Sequence, residues 1–278
     1  MPASGAAAAS DLRRFDIQVV AHRGSSGLLA EHTLAAYRRA IIDGADALEC
    51  DVRLTADGHL VCVHDRRVDR TSNGRGIVST LELAQLSELD WASWRGDESA
   101  TMAELPDVDR HGILTLRRLL ETVADAGRPV EVAIETKHPT RYAGLVERRL
   151  VELLDRFGWA HPRVGKTTPV RVMSFSQLSL RRLRRLAPSL PTVLLMDRTP
   201  VRYWGGALPP GVRISGPSIE VLRAHPRYVE RAHRMGNQVH VWTVDTPEDV
   251  IFCVDLEVDA MISNKPRLVL DVLGRLGS

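Results

Sequence analysis

The chain has 278 residues, of which 44% are hydrophobic and 26% are charged, and its formal net charge is +2. This composition is typical of a globular protein with an apolar core, and the small net charge gives no strong field for nucleic acid. We therefore expect no nucleic-acid partner. Because no stretch approaches the roughly 18 apolar residues of a membrane span, we also expect no stable membrane insertion.

The first residues are small and rich in alanine. Residues 1–10 lack both the positively charged start and the apolar centre of a secretory signal. The three cysteines, Cys50, Cys62 and Cys253, show no CxxC spacing, which favours buried thiols. We expect residues 1–15 to be a disordered lead-in, residues 16–278 to form one domain and the protein to be cytoplasmic. No feature of the sequence indicates an oligomeric state.

Short apolar strands alternate with amphipathic helices along the chain. The predicted strands are 18–21, 47–52, 130–136, 170–174, 192–196, 212–215, 238–242 and 259–263, with 59–63 as a hairpin partner of the second. Helices are predicted after the N-cap Thr33 and over 115–126, 141–157, 177–187, 226–236, 246–255 and 267–276, with a weak one near 199–207. Eight strands that alternate with helices predict an α/β fold, the closed (β/α)8 TIM barrel. An open doubly wound sheet is the alternative.

Residues 66–112 interrupt this alternation. The segment contains Gly74 and Gly76, a capping box at Ser79-x-x-Glu82 that predicts a short helix to about residue 89, and an irregular polar remainder. It has too few apolar residues for a core of its own. We therefore expect a small insertion after the second strand, within the barrel domain.

Strand periodicity turns three acidic side chains into the predicted barrel. Alternate residues of 47–52 form an apolar face, so Glu49 and Asp51 point inwards, and the same alternation in 130–136 turns Glu135 inwards. Three carboxylates near strand ends are suitable oxygen ligands for Ca²⁺ or Mg²⁺. Salt bridges to Arg53 or Lys137 are the alternative interpretation.

Two histidines, His22 and His64, directly follow apolar strands. A lone histidine is more often structural than catalytic, but polar residues at the carboxyl ends of barrel strands are typical of catalysis. Two histidines beside a metal-bound phosphate suit general acid–base cleavage. The planar guanidinium of Arg23 is suited to hold the phosphoryl oxygens.

A series of short motifs runs through the chain. They are His22-Arg23-Gly24, Glu31-His32-Thr33, Gly44-Ala45-Asp46-Ala47-Leu48-Glu49-Cys50-Asp51-Val52, Thr55-x-Asp57-Gly58, His64-Asp65, Arg70-Thr71, Ile134-Glu135-Thr136-Lys137, Trp242-Thr243-Val244-Asp245 and Ser263-Asn264-Lys265-Pro266. Together they closely resemble the glycerophosphodiester phosphodiesterase family, in its actinobacterial branch, over about residues 18–270.

The resemblance implies a metal-dependent barrel enzyme that hydrolyses glycerophosphodiesters to sn-glycerol 3-phosphate and an alcohol. It implies that His22 is the general base and His64 the general acid. It places Arg23 and Lys137 at the phosphate and Trp242 as an apolar wall for the glycerol. The three carboxylates named above would bind Ca²⁺ or Mg²⁺, and the insertion would shape access to the site.

Some positions depart from the family pattern. The family usually has proline and asparagine where this chain has Ala30 and His32, and asparagine is frequent at the position of Asp245. We expect a less rigid loop after the first strand, and a changed polarity around the alcohol at Asp245. His32 replaces an amide, which leaves open any contact that the asparagine makes.

Two other functions are considered. A lysophospholipase D-like phosphodiesterase needs an apolar landing surface, for which the insertion offers only Trp91, Trp94 and Met102. A non-catalytic phosphate-binding barrel predicts the loss of a histidine or a carboxylate from the site, and none is missing.

Overall fold

The computed structural model describes residues 16–96, 104–140, 143–163, 165–198 and 200–276, so the predicted lead-in (1–15) lies outside the described residues. The described chain contains a nine-stranded sheet. Its strands are β1 (Gln18–His22), β2 (Ala47–Leu54), β3 (Leu60–Cys62), β4 (Glu131–Thr136), β5 (Val170–Ser174), β6 (Thr192–Met196), β7 (Ile214–Pro217), β8 (Gln238–Trp242) and β9 (Ala260–Ser263).

The sheet closes on itself. β1 pairs in parallel with both β2 and β9, so the ring runs β1-β2-β4-β5-β6-β7-β8-β9, while β3 pairs antiparallel with the end of β2. The predicted (β/α)8 barrel is therefore confirmed. Since the ring strands are parallel, their carboxyl ends meet at one rim, where the residues that follow them share a common surface.

Helices surround the barrel. They are α1 (Leu34–Ile42), α2 (Leu83–Ser87), α3 (Asp107–His111), α4 (Leu116–Ala124), α5 (Leu145–Arg156), α6 (Gln177–Leu186), α7 (Ile219–Ala224), α8 (Tyr228–Arg234), α9 (Pro247–Asp255) and α10 (Pro266–Val272). The larger apolar core lies between strands and helices, and a smaller cluster fills the barrel. No helix among the described residues is long and apolar enough to cross a membrane.

The structure differs from the predicted elements at one strand and two helices. The strand predicted at 212–215 is β7, two residues later, because the sequence Ser-Gly-Pro, which is typical of a turn, continues the strand here. A side chain at Gly216 would meet Leu195 Cδ2 at 2.6 Å, so this strand needs glycine for packing. The helix α7 that follows β7 was not predicted, and the weak helix near 199–207 is a single 3-10 turn, Val201–Tyr203.

The capping box predicted at Ser79 is wrong. Ser79 lies in a 3-10 turn, Val78–Thr80, and α2 begins after Glu82, whose backbone N–H donates to Gln85 Oε1 over 2.9 Å. The next N–H, of Leu83, is bonded by the Asp57 carboxylate. Because a distant carboxylate and a local amide satisfy the first N–H groups, the helix does not need the serine.

The apolar residues of the insertion pack against β3. A cluster of buried side chains joins the two, namely Val61, Val63, Val68, Val78, Leu86 and Trp91. The indole N–H of Trp91 donates to the carbonyl of Leu86 over 2.9 Å. The insertion is thereby held against the rim where the strands end.

Candidate active site

Three carboxylates converge inside the barrel at this rim. Glu49 and Asp51 lie on β2, and Glu135 lies on β4 directly opposite Asp51 in the parallel register. They are only 1%, 0% and 7% exposed, respectively. One oxygen from each lies within 4.8 Å of the other two. Strand alternation produces this convergence, since the intervening residues face the helices.

The pKa values of the three carboxyl groups are shifted in different directions. Burial is the largest influence on each of them. It raises the pKa of Glu49 well above its ordinary value and the pKa of Glu135 to about 8, and in both cases the charge of Asp51 adds to the effect. Burial opposes the ionisation of Asp51 as well, but Lys137 and the hydrogen bond from His32 hold the pKa of that carboxyl well below its usual range. Binding of a cation to the cluster would therefore release protons.

Two cations already contact the cluster. Lys137 Nζ lies 3.1 Å from Asp51 Oδ1 and 2.8 Å from Glu135 Oε1. Arg23 Nε lies 3.0 Å from Asp51 Oδ2, and its Nη1 lies 3.1 Å from Glu31 Oε1. The salt bridges considered from the sequence thus form with Lys137, whereas Arg53 donates to the backbone carbonyl of His64 instead.

The donor set of the cluster fits a hard divalent cation. All three groups offer carboxylate oxygens, the type of ligand that Ca²⁺ and Mg²⁺ prefer. Asp51 Oδ1 is buried and accepts no aligned hydrogen bond, although Lys137 pairs with it electrostatically. Such an oxygen retains lone pairs for a metal ion.

His22 ends β1 beside the cluster. Its Nδ1–H donates to Asn264 Oδ1 over 2.7 Å, and its Nε2 lies 3.8 Å from Glu49 Oε2. Burial lowers the pKa of His22 to about 3, and the charge of Arg23 adds to this. The imidazole is therefore neutral near pH 7. Its Nε2 carries the lone pair, because Nδ1 holds the proton.

Asn264, which follows β9, was not assigned a role from the sequence. Its amide Nδ2 donates to Asp245 Oδ2 over 2.5 Å, and its backbone N–H donates to Asp245 Oδ1 over 2.8 Å. Ser26 Oγ donates to Asn264 Oδ1 over 2.8 Å. Asp245, expected to change the polarity around the alcohol, thus orients the amide that holds His22. Two signals were available: Asn264 lies directly after a barrel strand, and it belongs to the closing motif Ser263-Asn264-Lys265-Pro266.

His64 follows the short strand β3 and is partly exposed. Its Nδ1–H donates to Asp65 Oδ1 over 2.7 Å. Burial lowers the pKa of His64, while the charge of Asp51 and the hydrogen bond to Asp65 oppose this shift. Arg53 Nε and Nη2 donate to the His64 carbonyl over 3.0 and 2.7 Å, so the backbone that carries this imidazole is fixed.

His32 is buried at a φ of 63°, between the cluster and α1. Its Nε2 bonds Asp51, and its Nδ1 lies 2.8 Å from the hydroxyl of Tyr37. The loop after β1, expected to be less rigid, is therefore anchored by the residue that departs from the family pattern.

Trp242, at the end of β8, stands across the barrel from β4. Its Nε1–H donates to the carbonyl of Gly216 over 2.7 Å, and Phe175 packs edge-on against the ring at 5.6 Å between centroids. Trp242 is half-buried and Phe175 is 44% exposed. Together they give this side of the rim an apolar wall, to which the sequence prediction had assigned only Trp242.

Comparisons with known proteins identify a family to which the chain is similar. The model of the glycerophosphoryl diester phosphodiesterase family matches residues 22–268. A Mycobacterium tuberculosis protein named probable glycerophosphodiester phosphodiesterase 1 is 50% identical over 249 residues, which are 86% of each chain. A glycerophosphodiester phosphodiesterase of Bacillus subtilis is 32% identical, over 96% of this chain and 90% of that protein.

A solved structure is similar over nearly the whole length. It is an Oleispira antarctica phosphodiesterase in complex with the product sn-glycerol-3-phosphate. The two structures match with a TM-score of 0.79 at 25% sequence identity, over 94% of this chain and 98% of the other.

Proposed function

The chain belongs to the glycerophosphoryl diester phosphodiesterase family, and from this premise we propose that it hydrolyses glycerophosphodiesters to sn-glycerol 3-phosphate and an alcohol. The Bacillus subtilis relative is named a glycerophosphodiester phosphodiesterase, and the Mycobacterium tuberculosis relative a probable one. The observation that carries the proposal is the convergence of three carboxylates and His22 at the rim, with His64 at the end of the neighbouring β3.

The carboxylates of Glu49, Asp51 and Glu135 are proposed to hold Ca²⁺ or Mg²⁺. Their burial and their all-oxygen donor set support this assignment. When bound, such an ion supplies Lewis-acid stabilisation of the phosphoryl oxygens. The carboxylates must lose their protons to bind the ion. Asp51 and Glu135, which already contact Lys137, would then contact both Lys137 and the ion.

His22 is proposed to be the general base. Asn264 Oδ1 accepts a hydrogen bond from the Nδ1–H of His22. The lone pair of Nε2 is therefore available to take a proton from the attacking oxygen. Its neutral state near pH 7 follows from burial, which lowers the pKa to about 3. Asp245 keeps the Asn264 amide in the orientation that this tautomer requires.

His64 is proposed to be the general acid that protonates the departing alcohol oxygen. Asp65 accepts from Nδ1, and so the opposite nitrogen, Nε2, is left to donate to the substrate. Asp65 also favours the charged imidazolium, against the effect of burial on its pKa. The acid needs this support because an alkoxide is a poor leaving group without a proton.

Arg23 and Lys137 are proposed to bind the phosphate. The guanidinium has five N–H donors, and its contacts with Asp51 and Glu31 occupy only part of them. Lys137 Nζ lies at the carboxylate cluster, where the phosphoryl oxygens would approach. Trp242, with Phe175 beside it, provides the proposed wall for the glycerol carbons.

We further propose that residues 16–278 act as one domain, with the insertion shaping access to the site. The contacts of the insertion with β3 support this. The alternative lysophospholipase D-like activity gains little support, because Trp91 is only 5% exposed, which leaves Trp94, 40% exposed beside the guanidinium of Arg70, as the one exposed aromatic candidate in the described part of the insertion. Met102 lies outside the described residues.

A panel assay tests the proposal. Purified protein is offered glycerophospho-choline, -ethanolamine, -inositol and -glycerol with Ca²⁺ or Mg²⁺, and release of sn-glycerol 3-phosphate is measured. His161→Ala serves as a control for removal of a histidine, since His161 is exposed and pairs with Asp155 on the surface. Release by this control and not by His22→Ala is expected, and no release from any substrate would refute the function.

A further inference from the structure

A cavity opens beside the carboxylate cluster, between the insertion and the loop after β4. Its volume is about 170 Å³. A water molecule needs roughly 10 to 15 Å³ of such space, so a group of several atoms fits. The polar lining comes from Arg53, Arg66, Ser79, Lys137 and Thr140. Because Lys137 belongs to both, the cavity adjoins the proposed reaction centre.

The lining is rich in positive charge. The ammonium of Lys137 is neutralised by the carboxylate cluster. Within the described ranges of the chain, no carboxylate lies within 4.0 Å of the guanidinium of Arg53 or Arg66. Arg53 bonds the carbonyl of His64 instead. The charges of Asp51, Asp65 and Glu135 act on Arg53 only from beyond salt-bridge distance, and the like charge of Arg66 opposes them. Two guanidinium groups that form no salt bridge, around one cavity, favour an anion.

The cavity lies next to the backbone of His64, through the lining residue Arg53. Arg53 holds the backbone of His64, and His64 is the residue proposed to protonate the departing oxygen. Trp242, proposed to contact the glycerol, stands on β8, which is four strands round the ring from β4. An occupant of the cavity would therefore belong to the alcohol, and the glycerol would lie opposite.

We propose that this cavity binds an anionic group, a carboxylate or a phosphate, carried by the departing alcohol. The inference rests on the proposed hydrolysis of glycerophosphodiesters and adds a preference among them. Diesters whose headgroup has a second negative charge are better substrates than their neutral or cationic counterparts. Arg53 and Arg66 determine this specificity and take no part in the bond-breaking step.

Two matched pairs of substrates test the preference. Glycerophosphoserine and glycerophosphoethanolamine differ by one carboxylate, and glycerophosphoglycerol and its terminal phosphate ester differ by one phosphate. The wild-type kcat/KM should favour the anionic member, and the pair with the larger ratio identifies the anion that is recognised. Arg66→Gln should reduce this ratio about fivefold, the effect of a favourable ion pair at a surface. Added salt should reduce it in the wild type.

Arg67→Gln is the matched control. Arg67 is the next residue along the chain, is exposed and pairs with Asp69 at 3.1 Å, and it is not part of the cavity lining. The Arg67→Gln substitution removes the same charge and should leave the ratio of kcat/KM values unchanged. An equal loss in both variants, or a wild-type enzyme without any preference in either pair, would overturn the proposed anion site.

Failure of the hydrolysis itself is a separate result. If no glycerophosphodiester is cleaved, the proposed function is wrong, and the cavity is then tested by calorimetry with inorganic phosphate. Binding that is weakened by Arg66→Gln and retained in Arg67→Gln supports the anion site. Binding of equal strength in both variants and in the wild type contradicts it.

Discussion

His32 Nε2 donates a hydrogen bond to Asp51 Oδ2 over 3.0 Å. The family usually has asparagine at the position of His32. Burial lowers the pKa of His32 and so favours the neutral imidazole, whose N–H donates to Asp51, although the charge of Asp51 opposes this shift. The bond fixes the orientation of Asp51, and the Tyr37 hydroxyl beside Nδ1 fixes the ring. Partners of this kind orient a metal ligand without touching the metal.

Replacement of His32 tests this role. His32→Leu removes the donor and places a branched side chain at a φ of 63°, so we expect metal affinity or activity to fall about 10- to 100-fold. His32→Asn should be milder, because asparagine tolerates this backbone conformation and retains an N–H donor. Activity is titrated with Ca²⁺ for each variant, with circular dichroism as a check of folding. Equal metal dependence in the wild type and His32→Leu would contradict the role.

Binding of the ion should depend on pH. Burial and the charge of Asp51 raise the pKa of Glu135 to about 8, above its ordinary 4.5, so its ionisation costs folding free energy as pH rises between these values. Asp51, whose pKa is held low, is ionised throughout this window. Ca²⁺ should therefore raise the melting temperature more at pH 8 than at pH 5.5, where it must displace protons. Equal shifts at the two pH values would contradict the assignment.

Removal of the ion should abolish activity. A strong chelator is expected to stop turnover, and added Ca²⁺ or Mg²⁺ to restore it. Glu49→Ala removes one carboxylate ligand from the buried cluster. It should remain inactive at ordinary metal concentrations. Turnover is measured on glycerophosphocholine, and full activity of the wild type in chelator would show that no ion is needed.

Asn264 should control the orientation of the base. Asn264→Ala removes the acceptor of the His22 Nδ1 proton, so the imidazole can rotate or change tautomer. We expect kcat to fall about 10- to 100-fold. Metal dependence should change little, because Asn264 bonds none of the carboxylate ligands. The split between kcat and metal dependence is the measurement, and an unchanged kcat would remove Asn264 from the mechanism.

The local sequence pattern predicts the inward side chains of the strands well. Glu49 and Asp51 alternate with residues that face the helices, and this period of two needs no knowledge of distant contacts. The partners of His22 could not be read in this way. Asn264 is 242 residues away in the chain and reaches His22 only because β9 closes the ring against β1.

Local signals also failed where distant groups replaced them. The start of α2 was predicted at Ser79, but the carboxylate of Asp57, 26 residues from Leu83, bonds the first N–H of the helix. The replacement of the family's asparagine by His32 left open any contact that the asparagine makes, because the sequence does not reveal that the His32 side chain reaches Asp51. In each case tertiary contact decides what the local pattern leaves open.

The roles of the two histidines can be separated by the leaving group. Glycerophosphocholine loses a strongly basic alkoxide, which needs a proton as it departs, whereas a nitrophenyl diester loses a stabilised phenolate. If His64 is the acid, His64→Ala should lose about 10² to 10⁴ in kcat on glycerophosphocholine. It should keep much of its activity on the nitrophenyl diester. His22→Ala should be poor on both, because the attacking oxygen needs activation in either reaction.

The pH dependence of the same two substrates gives an independent reading of His64. Burial lowers the pKa of His64 below 6.5, so the fraction that carries the proton falls as pH rises through that lowered value. If His64 is the acid, kcat/KM on glycerophosphocholine should decline towards alkaline pH while the nitrophenyl reaction declines less. His161→Ala, which removes an exposed histidine paired with Asp155, should match the wild type throughout. A His22→Ala variant that is spared on the nitrophenyl diester, with His64→Ala poor on both, would exchange the two roles.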